Sequence, residues 1–483
     1  MKNSILFCLS ILFSSLAFAQ WTQLGTGLDV NSLEDGHSVS MDASGTIVAG
    51  ANRFTNEVMV FQLNNGVWSQ RGETITKSSM DIDEFGESLK MNSDGSIIAV
   101  GDHLAGTGDN ESGTIFVYEW NGSNYIPKGS RLDGVAAEDE LSKSVIGMSS
   151  DGLTIVAGAR HHNAVGSNSG HVLVFQWDND LGDWVQKGNP MNGTATNEAA
   201  GEFVSMSADG NTVSYSDLTS DAGFVYIYEW NATSEDWEQK GSTIVGDPGD
   251  VWTGASTSLS ADGNTIAYGA PRYETYTGLV KVYEFNGTDW VQKGQTYFGE
   301  FEESWFGRNL ELSADASHLV VNAWSYDLNA DGEEALNTGM TVVLEYNGTS
   351  WEQKGELLYG TDVGARMGEK GVRISSDNST IAFLDEIDGF NSPRVYTFLE
   401  PIGINKAEED LVQVYPNPVS DLFFIELNEN AELFLRTLDG KLILKRSLFA
   451  GKNKLEVAQL PAGIYQVQVV GVTQNFIQTL VKE

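Results

Sequence analysis

The stretch Trp290-Val291-Gln292-Lys293-Gly294 decides the fold, because it ends a unit that recurs along the whole chain. The same pattern, Trp-x-Gln-(Lys/Arg)-Gly, begins also at Trp68, Trp184, Trp237 and Trp351, with variants at Trp21 and Tyr125. A second pattern places a tight turn before an apolar run and also occurs seven times, at Gly45, Gly95, Gly152, Gly210, Gly263, Ala316 and Asn378. These turns lie about 55 residues apart on average, close to the length of one four-stranded propeller blade.

The unit around Gly263 indicates how each repeat folds. Its apolar runs predict four strands, at residues 256–260, 265–269, 279–285 and 290–293. Asp262-Gly263 and Asn286-Gly287 suit tight hairpin turns, because glycine adopts positive φ without a Cβ clash. The repeat therefore predicts an all-β chain whose residues 20–400 form a seven-bladed β-propeller.

The first and last units complement each other. The pattern at Trp21 precedes any blade of its own, whereas the last blade ends after its third strand, at residues 395–399. We expect residues 21–25 to supply the missing fourth strand, which closes the ring and removes two exposed sheet edges. An open stack of repeats would need a capping unit at each end, and the sequence contains none.

The N-terminal segment has the features of a secretory signal peptide over residues 1–19. Lys2 precedes an apolar run, and Ala17-Phe18-Ala19 supplies a cleavage site before Gln20. The alternative, a membrane anchor, is disfavoured because the run is short. The only cysteine, Cys8, lies in this segment, so the mature chain could form no disulfide and hold no metal through a thiolate.

The repeat resembles the FG-GAP propellers of secreted bacterial proteins. Phe85-Gly86 and Phe306-Gly307 match the phenylalanine-glycine half of that motif, and Gly269-Ala270-Pro271 is its one intact Gly-Ala-Pro. The resemblance covers residues 20–400 and implies a propeller used for binding or adhesion. The repeated tryptophan is expected to pack between blades; the alternative is a platform on which sugars stack.

A second module follows a linker at residues 401–411. Turn signals between short apolar runs predict a small Ig-like β-sandwich over residues 412–483. Tyr415-Pro416-Asn417-Pro418, Asp439-Gly440-Lys441 and Leu460-Pro461-Ala462-Gly463-Ile464-Tyr465 resemble the type A C-terminal sorting domain of the Bacteroidetes type IX secretion system; Glu483, after Lys482, departs from its usual end. The resemblance implies passage through the periplasm and a partner in the type IX secretion machinery. The alternative is an accessory module without a sorting role.

Residues with catalytic chemistry are few. The six histidines lie in no known catalytic motif, and His161-His162 is expected to be a solvated loop pair rather than a metal site. Carboxylate pairs such as Glu302 and Glu303 arise by chance in a chain with 67 acids. The sequence therefore predicts a non-catalytic protein; the alternatives are an extracellular polysaccharide hydrolase or lyase and a structural surface protein.

One loop carries a candidate calcium site. Asp327, Asn329, Asp331 and Glu333 place oxygen ligands at alternating positions, with Gly332 for the sharp turn. Thr338 stands where a calcium loop of the EF-hand type has its glutamate, so an ordinary acidic loop is the competing interpretation.

The net charge of −39 belongs to the propeller and its linker, because residues 412–483 hold equal numbers of acids and bases. Most of the acids fall in the loops that join strand two to strand three and one blade to the next. One face of the ring is therefore predicted to be anionic, suited to cations, basic partners or calcium-bridged glycans and hostile to nucleic acid. We expect a secreted or surface-attached monomer that binds an extracellular protein or glycan on these loops.

Overall fold

A computed structural model describes residues 20–26, 28, 36–52, 55–77, 84–106, 110–218, 222–327, 337–360, 363–369, 371–387, 390–399, 414–415, 419–427, 430–437, 442–461, 463–471 and 475–482. The chain divides into two compact units, one of residues 19–399 and one that includes residues 400–483. The predicted signal peptide at residues 1–19 and the predicted linker at residues 401–411 lie outside the described residues and stay predictions.

The first unit consists of antiparallel sheets, seven in the part of the chain described, which we number in chain order. The strands of sheets 1 to 3 are Gly36–Met41, Ile47–Asn52, Glu57–Asn64, Val67–Gln70 and Ile75–Thr76; Ser88–Met91, Ile97–Asp102, Thr114–Trp120, Tyr125–Pro127 and Leu132–Asp133; Ile146–Met148, Thr154–Ala159, His171–Asp178, Asp183–Gln186 and Met191–Asn192. Those of sheets 4 and 5 are Val204–Met206, Thr212–Asp217, Phe224–Asn231, Asp236–Gln239 and Ile244–Val245; Ser256–Leu259, Thr265–Ala270, Leu279–Phe285, Trp290–Gln292 and Tyr297–Phe298. Those of sheets 6 and 7 are Asn309–Leu312, His318–Ala323, Met340–Tyr346, Trp351–Gln353 and Leu358–Tyr359; Val372–Ile374, Thr380–Ile387, Phe390–Leu399 and Gln20–Gln23.

The sheets form a closed ring. The first strand of each sheet contacts the first strand of the next, and that of sheet 7 contacts that of sheet 1. Gln20–Gln23 pairs with Phe390–Leu399 and completes sheet 7. The predictions of an all-β propeller and of a closing N-terminal strand are confirmed. Sheets 1 to 6 also have a short fifth strand, which was not predicted. It pairs with the beginning of the third strand, whereas the fourth strand pairs with the end of the third strand.

The repeated tryptophans pack between sheets, as the packing interpretation predicts. Trp237 is 7% exposed, and its Nε1 donates a hydrogen bond to the carbonyl of Lys187 in the preceding sheet at 2.9 Å. Trp21 makes the equivalent bond to Lys354 at 3.3 Å and so joins the N-terminal strand of sheet 7 to sheet 6. The glycine that ends the pattern leaves room for the ring: a Cβ on Gly188 would lie 2.8 Å from Trp237.

The Phe-Gly and Gly-Ala elements meet where adjacent sheets come closest. Gly201, in the phenylalanine-glycine position of sheet 4, donates its N–H to the Ser216 carbonyl at 3.0 Å and contacts Gly158 of sheet 3. A Cβ on Gly158 would overlap the Gly201 carbonyl oxygen. Gly158 is thus required by close backbone approach rather than by φ, whereas Gly201 also has a positive φ of +89°.

A ring of backbone hydrogen bonds connects the turns between the first and second strands. Ser150 N–H donates to the Ala208 carbonyl at 2.7 Å and Ala208 N–H to the Ala261 carbonyl at 2.9 Å, and similar bonds run from sheet 1 to sheet 6. Ser376 of sheet 7 donates its N–H to Ala43 of sheet 1 at 2.8 Å. These turns fasten neighbouring sheets to each other around one end of the propeller axis.

The carboxylates in these turns make the free energy of unfolding depend on pH. Burial alone would raise the pKa of Asp315, but hydrogen bonds from Ser313 and Ser317 outweigh it and lower the pKa to about 2. Similar bonds lower the pKa of Asp209 and Asp262. Because the folded-state pKa lies below the ordinary value of 3.8, this stabilisation is present above that pH and is lost as the pH falls toward 2.

We therefore expect the free energy of unfolding of the propeller to fall between about pH 4 and pH 2. Denaturant titrations at a series of pH values measure it. The Asp315→Asn variant, which cannot ionise, should lose part of this dependence. An unchanged slope in that variant would show that the turn carboxylate makes no contribution.

The second unit is a two-sheet sandwich. One sheet holds Val414–Tyr415, Leu422–Leu427 and Gly451–Glu456, and the other holds Leu442–Leu448, Ala431–Thr437, Gly463–Gly471 and Asn475–Lys482. Phe423, Leu433 and Val467 from the two sheets are buried in one core. The turn at Asp439-Gly440-Lys441 lies outside the described residues.

Candidate ligand-binding site at the mouth of the channel

The propeller axis contains a cavity of about 670 Å³, lined by the first strands of all seven sheets. At one end it is bounded by the ring of turns, including Ser150 and Ala208. At the other end, which we call the mouth, the lining residues come from the loops that enter the first strands and from the loops after the second strands. The mouth therefore lies on the face for which the sequence predicts ligand contacts.

An ion pair crosses the middle of the channel. Lys90, in the first strand of sheet 2, lies 3.5 Å from Glu311, in the first strand of sheet 6 on the far side of the ring. Glu311 also accepts a hydrogen bond from the Ile374 N–H of sheet 7 at 3.1 Å. Burial lowers the pKa of Lys90, and the Glu311 carboxylate opposes that shift. The pair separates the mouth from the ring of turns.

One position of the repeat places two of its residues, Trp252 and Trp305, in the lining of the mouth. It lies two residues before the phenylalanine-glycine glycine or its equivalent, and its occupants from sheet 2 to sheet 7 are Glu84, Glu140, Ala199, Trp252, Trp305 and Arg366. Five of the six adopt positive φ, for example Trp305 at 57°. The Trp305 N–H donates to the Tyr276 carbonyl of the preceding sheet at 2.9 Å, which anchors this turn. The backbone is thus constant while the side chains differ.

Aromatic and guanidinium groups gather on one side of the mouth, and we call Trp252, Trp305, Trp324, Tyr276 and Arg272 the Trp–Arg cluster. The Arg272 guanidinium lies 3.2 Å from the ring centre of Trp252, and Trp305 stacks on Tyr276 with centres 4.6 Å apart. Trp305 and Trp324 are 5.8 Å apart. The three tryptophans are partly exposed and line the cavity. Such faces are suited to stacking against flat apolar surfaces.

Basic side chains at the mouth are held by acidic side chains or by backbone carbonyls. Arg160 pairs with Glu202 at 2.7 Å, and Lys143 pairs with Glu140 at 2.6 Å. Arg308 donates to the Ala255 carbonyl at 3.0 Å, and burial lowers its pKa. Exposed acids lie on the same loops but do not line the cavity: Glu111, Glu138, Asp247, Glu300, Glu302, Glu303 and Asp327. The face predicted to be anionic therefore carries ion-paired basic groups and aromatic groups around the cavity.

The candidate calcium ligands fall mostly outside the described residues. Asp327 is exposed, and its Oδ1 accepts a hydrogen bond from the Asn337 N–H at 2.8 Å. Asn329, Asp331 and Glu333 are not described. Calcium binding by this loop stays a prediction.

His161 and His162 point in different directions. His161 Nδ1 lies 3.1 Å from Glu140 Oε2, whereas His162 Nδ1 lies 2.9 Å from Asp139 Oδ1. The His162 ring also stacks on His171, with centres 3.8 Å apart. Burial, with a smaller effect from the charge of His162, lowers the pKa of His171 to about 3. The pair is therefore tied into the fold rather than free in solvent.

The sequence interpretation missed the Trp–Arg cluster. Trp252, Trp305 and Trp324 fall outside the repeated pattern and lie in loops of unequal length. A signal was present, because two of them occupy the same position before the phenylalanine-glycine glycine in consecutive units. Only the ring geometry brings Trp324, from a loop after a second strand, beside them.

Comparisons with known proteins match the second unit to a protein family. For the first unit they find solved structures with low sequence identity. Residues 413–483 match the family described as the secretion system C-terminal sorting domain. The chain therefore carries the address for export to the cell surface or the medium by the type IX secretion system. No curated protein matches the chain. In the described residues, the search for a helix long and apolar enough to cross a membrane finds none.

Three solved structures illustrate the likeness of the propeller. Hydrazine synthase of Kuenenia stuttgartiensis is 11% identical, with 78% of this chain and 97% of that one covered and a TM-score of 0.49. The Cps50 (Swd1) β-propeller domain of Myceliophteria thermophila is 8% identical over 78% and 99%, with a TM-score of 0.48. Hsv2 of Kluyvelomyces marxianus is 10% identical over 72% and 88%, with a TM-score of 0.42. The ligand has to be argued from the residues of this chain.

Proposed function

We propose that the protein is a non-catalytic binding module, secreted or held at the cell surface, whose propeller takes a saccharide at the Trp–Arg cluster. Its export would begin with cleavage of the signal peptide at residues 1–19 and end with recognition of residues 412–483. The propeller would act as a monomer of the FG-GAP type. The observation that carries the proposal is the gathering of three partly exposed tryptophans on one side of the channel mouth.

The chemistry of the cluster favours a sugar. Pyranose rings present flat C–H faces that stack on indole, while their hydroxyl groups need hydrogen-bond donors and acceptors nearby. The partly exposed Arg272 side chain carries guanidinium donors beside Trp252.

The exposed acids of the loops at the mouth set a limit on the ligand. A long polyanion that reached the mouth would have to pass over several carboxylates, including Glu302 and Glu303, whose repulsion is strongest at low salt. We therefore propose a short oligosaccharide or a chain end rather than a heparin-like polymer.

Replacing Trp324 tests the site, because this side chain lines the cavity without belonging to the repeated packing pattern. We expect Trp324→Ala to weaken binding at least about tenfold, since stacked aromatic side chains often dominate binding energy. The measurement is a glycan array with wild-type protein, followed by calorimetric titration of wild type and variant with the best glycan found.

Trp177→Ala is the matched control. Trp177 is also partly exposed and also lies beside a cation, with Lys128 at 4.2 Å, but it is on the outer part of sheet 3, away from the channel. It should bind the glycan like wild type. Equal losses in both variants, or no glycan bound by wild type, would contradict the proposal.

The two alternatives are less well supported. A hydrolase or lyase needs a carboxylate free to act as acid or base. Glu202 and Glu140 at the mouth are instead paired with Arg160 and Lys143. A purely structural role does not explain the partly exposed tryptophans at the mouth. Self-association of the protein together with no glycan binding would favour that role.

A further inference from the structure

Three side chains with metal-binding chemistry meet in the loops of sheet 3, apart from the Trp–Arg cluster. Asp139 lies in the loop that enters the sheet, His162 follows the second strand, and His171 begins the third strand. One potential ligand atom from each residue lies within 4.8 Å of the other two. Two imidazoles and one carboxylate thus lie close together, and all three come from a stretch in which the first and last residues are 32 positions apart.

The carboxylate is fixed in place by the backbone. Asp139 is 1% exposed, and its Oδ2 accepts hydrogen bonds from the N–H groups of Val135 and Ala136 at 3.0 and 2.7 Å. These bonds leave Oδ1, which faces His162 Nδ1 at 2.9 Å. A carboxylate held in this way offers one oxygen in a defined direction, as an ordered metal ligand does.

His171 supplies the second, independent observation. It is 1% exposed, and within the described residues its Nε2 has no hydrogen-bond partner. A buried polar atom without a partner destabilises the fold, so such atoms usually have a function or a bound ligand. The His171 ring lies against His162, with centres 3.8 Å apart.

We propose that Asp139, His162 and His171 bind one zinc ion or a similar first-row transition-metal dication. Two atoms bound to the same zinc ion at about 2.1 Å are no more than about 4.2 Å apart. The spacing of up to 4.8 Å and the near-parallel stacking of the two rings, 16° between their planes, require the His162 ring to turn out of the stack when the ion binds. His162, 17% exposed, is the most accessible of the three side chains and is the one that would move. Two imidazoles and a carboxylate suit zinc better than calcium, which prefers oxygen ligands.

The test uses the full chain, purified without a polyhistidine tag and treated with a chelator. Calorimetric titration with Zn²⁺ alone should show one equivalent bound, and Co²⁺ should produce the visible absorption of a low-coordinate site. Loss of an outer-shell partner alone costs about 10–100-fold in metal affinity. We therefore expect His162→Gln to weaken Zn²⁺ binding by at least that factor.

His161→Gln is the matched control, because the adjacent imidazole faces Glu140 instead. It should keep the wild-type affinity and the wild-type rise of melting temperature with Zn²⁺. A His103→Gln variant examines the other cluster of this kind in the described residues, formed with Glu84 and Glu87. The proposal is overturned if wild type binds no equivalent of Zn²⁺, if His162→Gln binds as tightly as wild type, or if only His103→Gln loses the ion. The Co²⁺ spectrum of wild type remains a valid test even if His162→Gln folds poorly.

Discussion

A single methyl group at Gly158 is expected to destabilise the propeller severely. The new Cβ would overlap the carbonyl oxygen of Gly201 in the next sheet, and neither atom can move by side-chain rotation because both belong to rigid strands or turns. Gly158 is itself held, since its carbonyl accepts the Ser142 N–H at 3.0 Å. Gly158→Ala should lower the free energy of unfolding by about 3 kcal/mol or more, at the upper end of overpacking effects. The midpoint of a urea titration followed by circular dichroism measures the change.

Gly182→Ala is the control, because it introduces backbone strain at a position where the new methyl group has enough space. Gly182 has φ of +67°, but a Cβ there would meet nothing within 4 Å. This variant should cost only about 1–2 kcal/mol, the usual penalty for the left-handed region. If Gly158→Ala were the milder of the two, the close approach of sheets 3 and 4 would not be as described.

Trp290→Ala is expected to have a similarly large effect. The ring is 8% exposed, packs against Phe285 and donates Nε1–H to the Lys240 carbonyl at 2.7 Å. Removing a buried aromatic side chain costs about 3–5 kcal/mol, and the buried carbonyl loses its donor as well. We expect a loss of at least about 4 kcal/mol in the same urea titration.

Two further variants divide this loss into its parts. Trp290→Phe keeps an aromatic ring and removes the donor, so about 1–3 kcal/mol of the loss should remain. Gln292→Ala changes an exposed residue of the same pattern and should stay within about 0.5 kcal/mol of wild type. A Trp290→Phe variant as unstable as Trp290→Ala would assign the whole effect to the hydrogen bond.

The sequence predicts this propeller well because the interactions that build it are repeated. For the unit around Gly263, the predicted third strand is the observed Leu279–Phe285, and the first, second and fourth strands differ from prediction by one residue each. The role of Trp290 follows from the same repetition, since a large apolar residue at a fixed place in every unit must face a neighbouring unit.

The candidate sites are harder to predict because they depend on single loops. Trp324 lies 5.8 Å from Trp305 because the loop that enters the first strand of sheet 6 and the loop that leaves its second strand are at the same edge of the sheet. His162 was judged from its neighbour His161, whereas its partners Asp139 and His171 lie 23 and 9 residues away. Periodicity carries no information on such contacts. The fifth strand of sheets 1 to 6 was missed because it is only two residues long.

The closing strand has a consequence for the order of events during synthesis. The bonds from Trp21 to Lys354 and from Ser376 to Ala43 each join residues 333 positions apart, so the ring can close only when almost the whole propeller has been made. Contacts this distant in sequence form slowly, because a long loop must close before they contribute. The sorting domain at residues 413–483 comes after the last residue that the ring requires. Every chain that carries its export address therefore also carries all the sequence needed to close the ring before it leaves the cell.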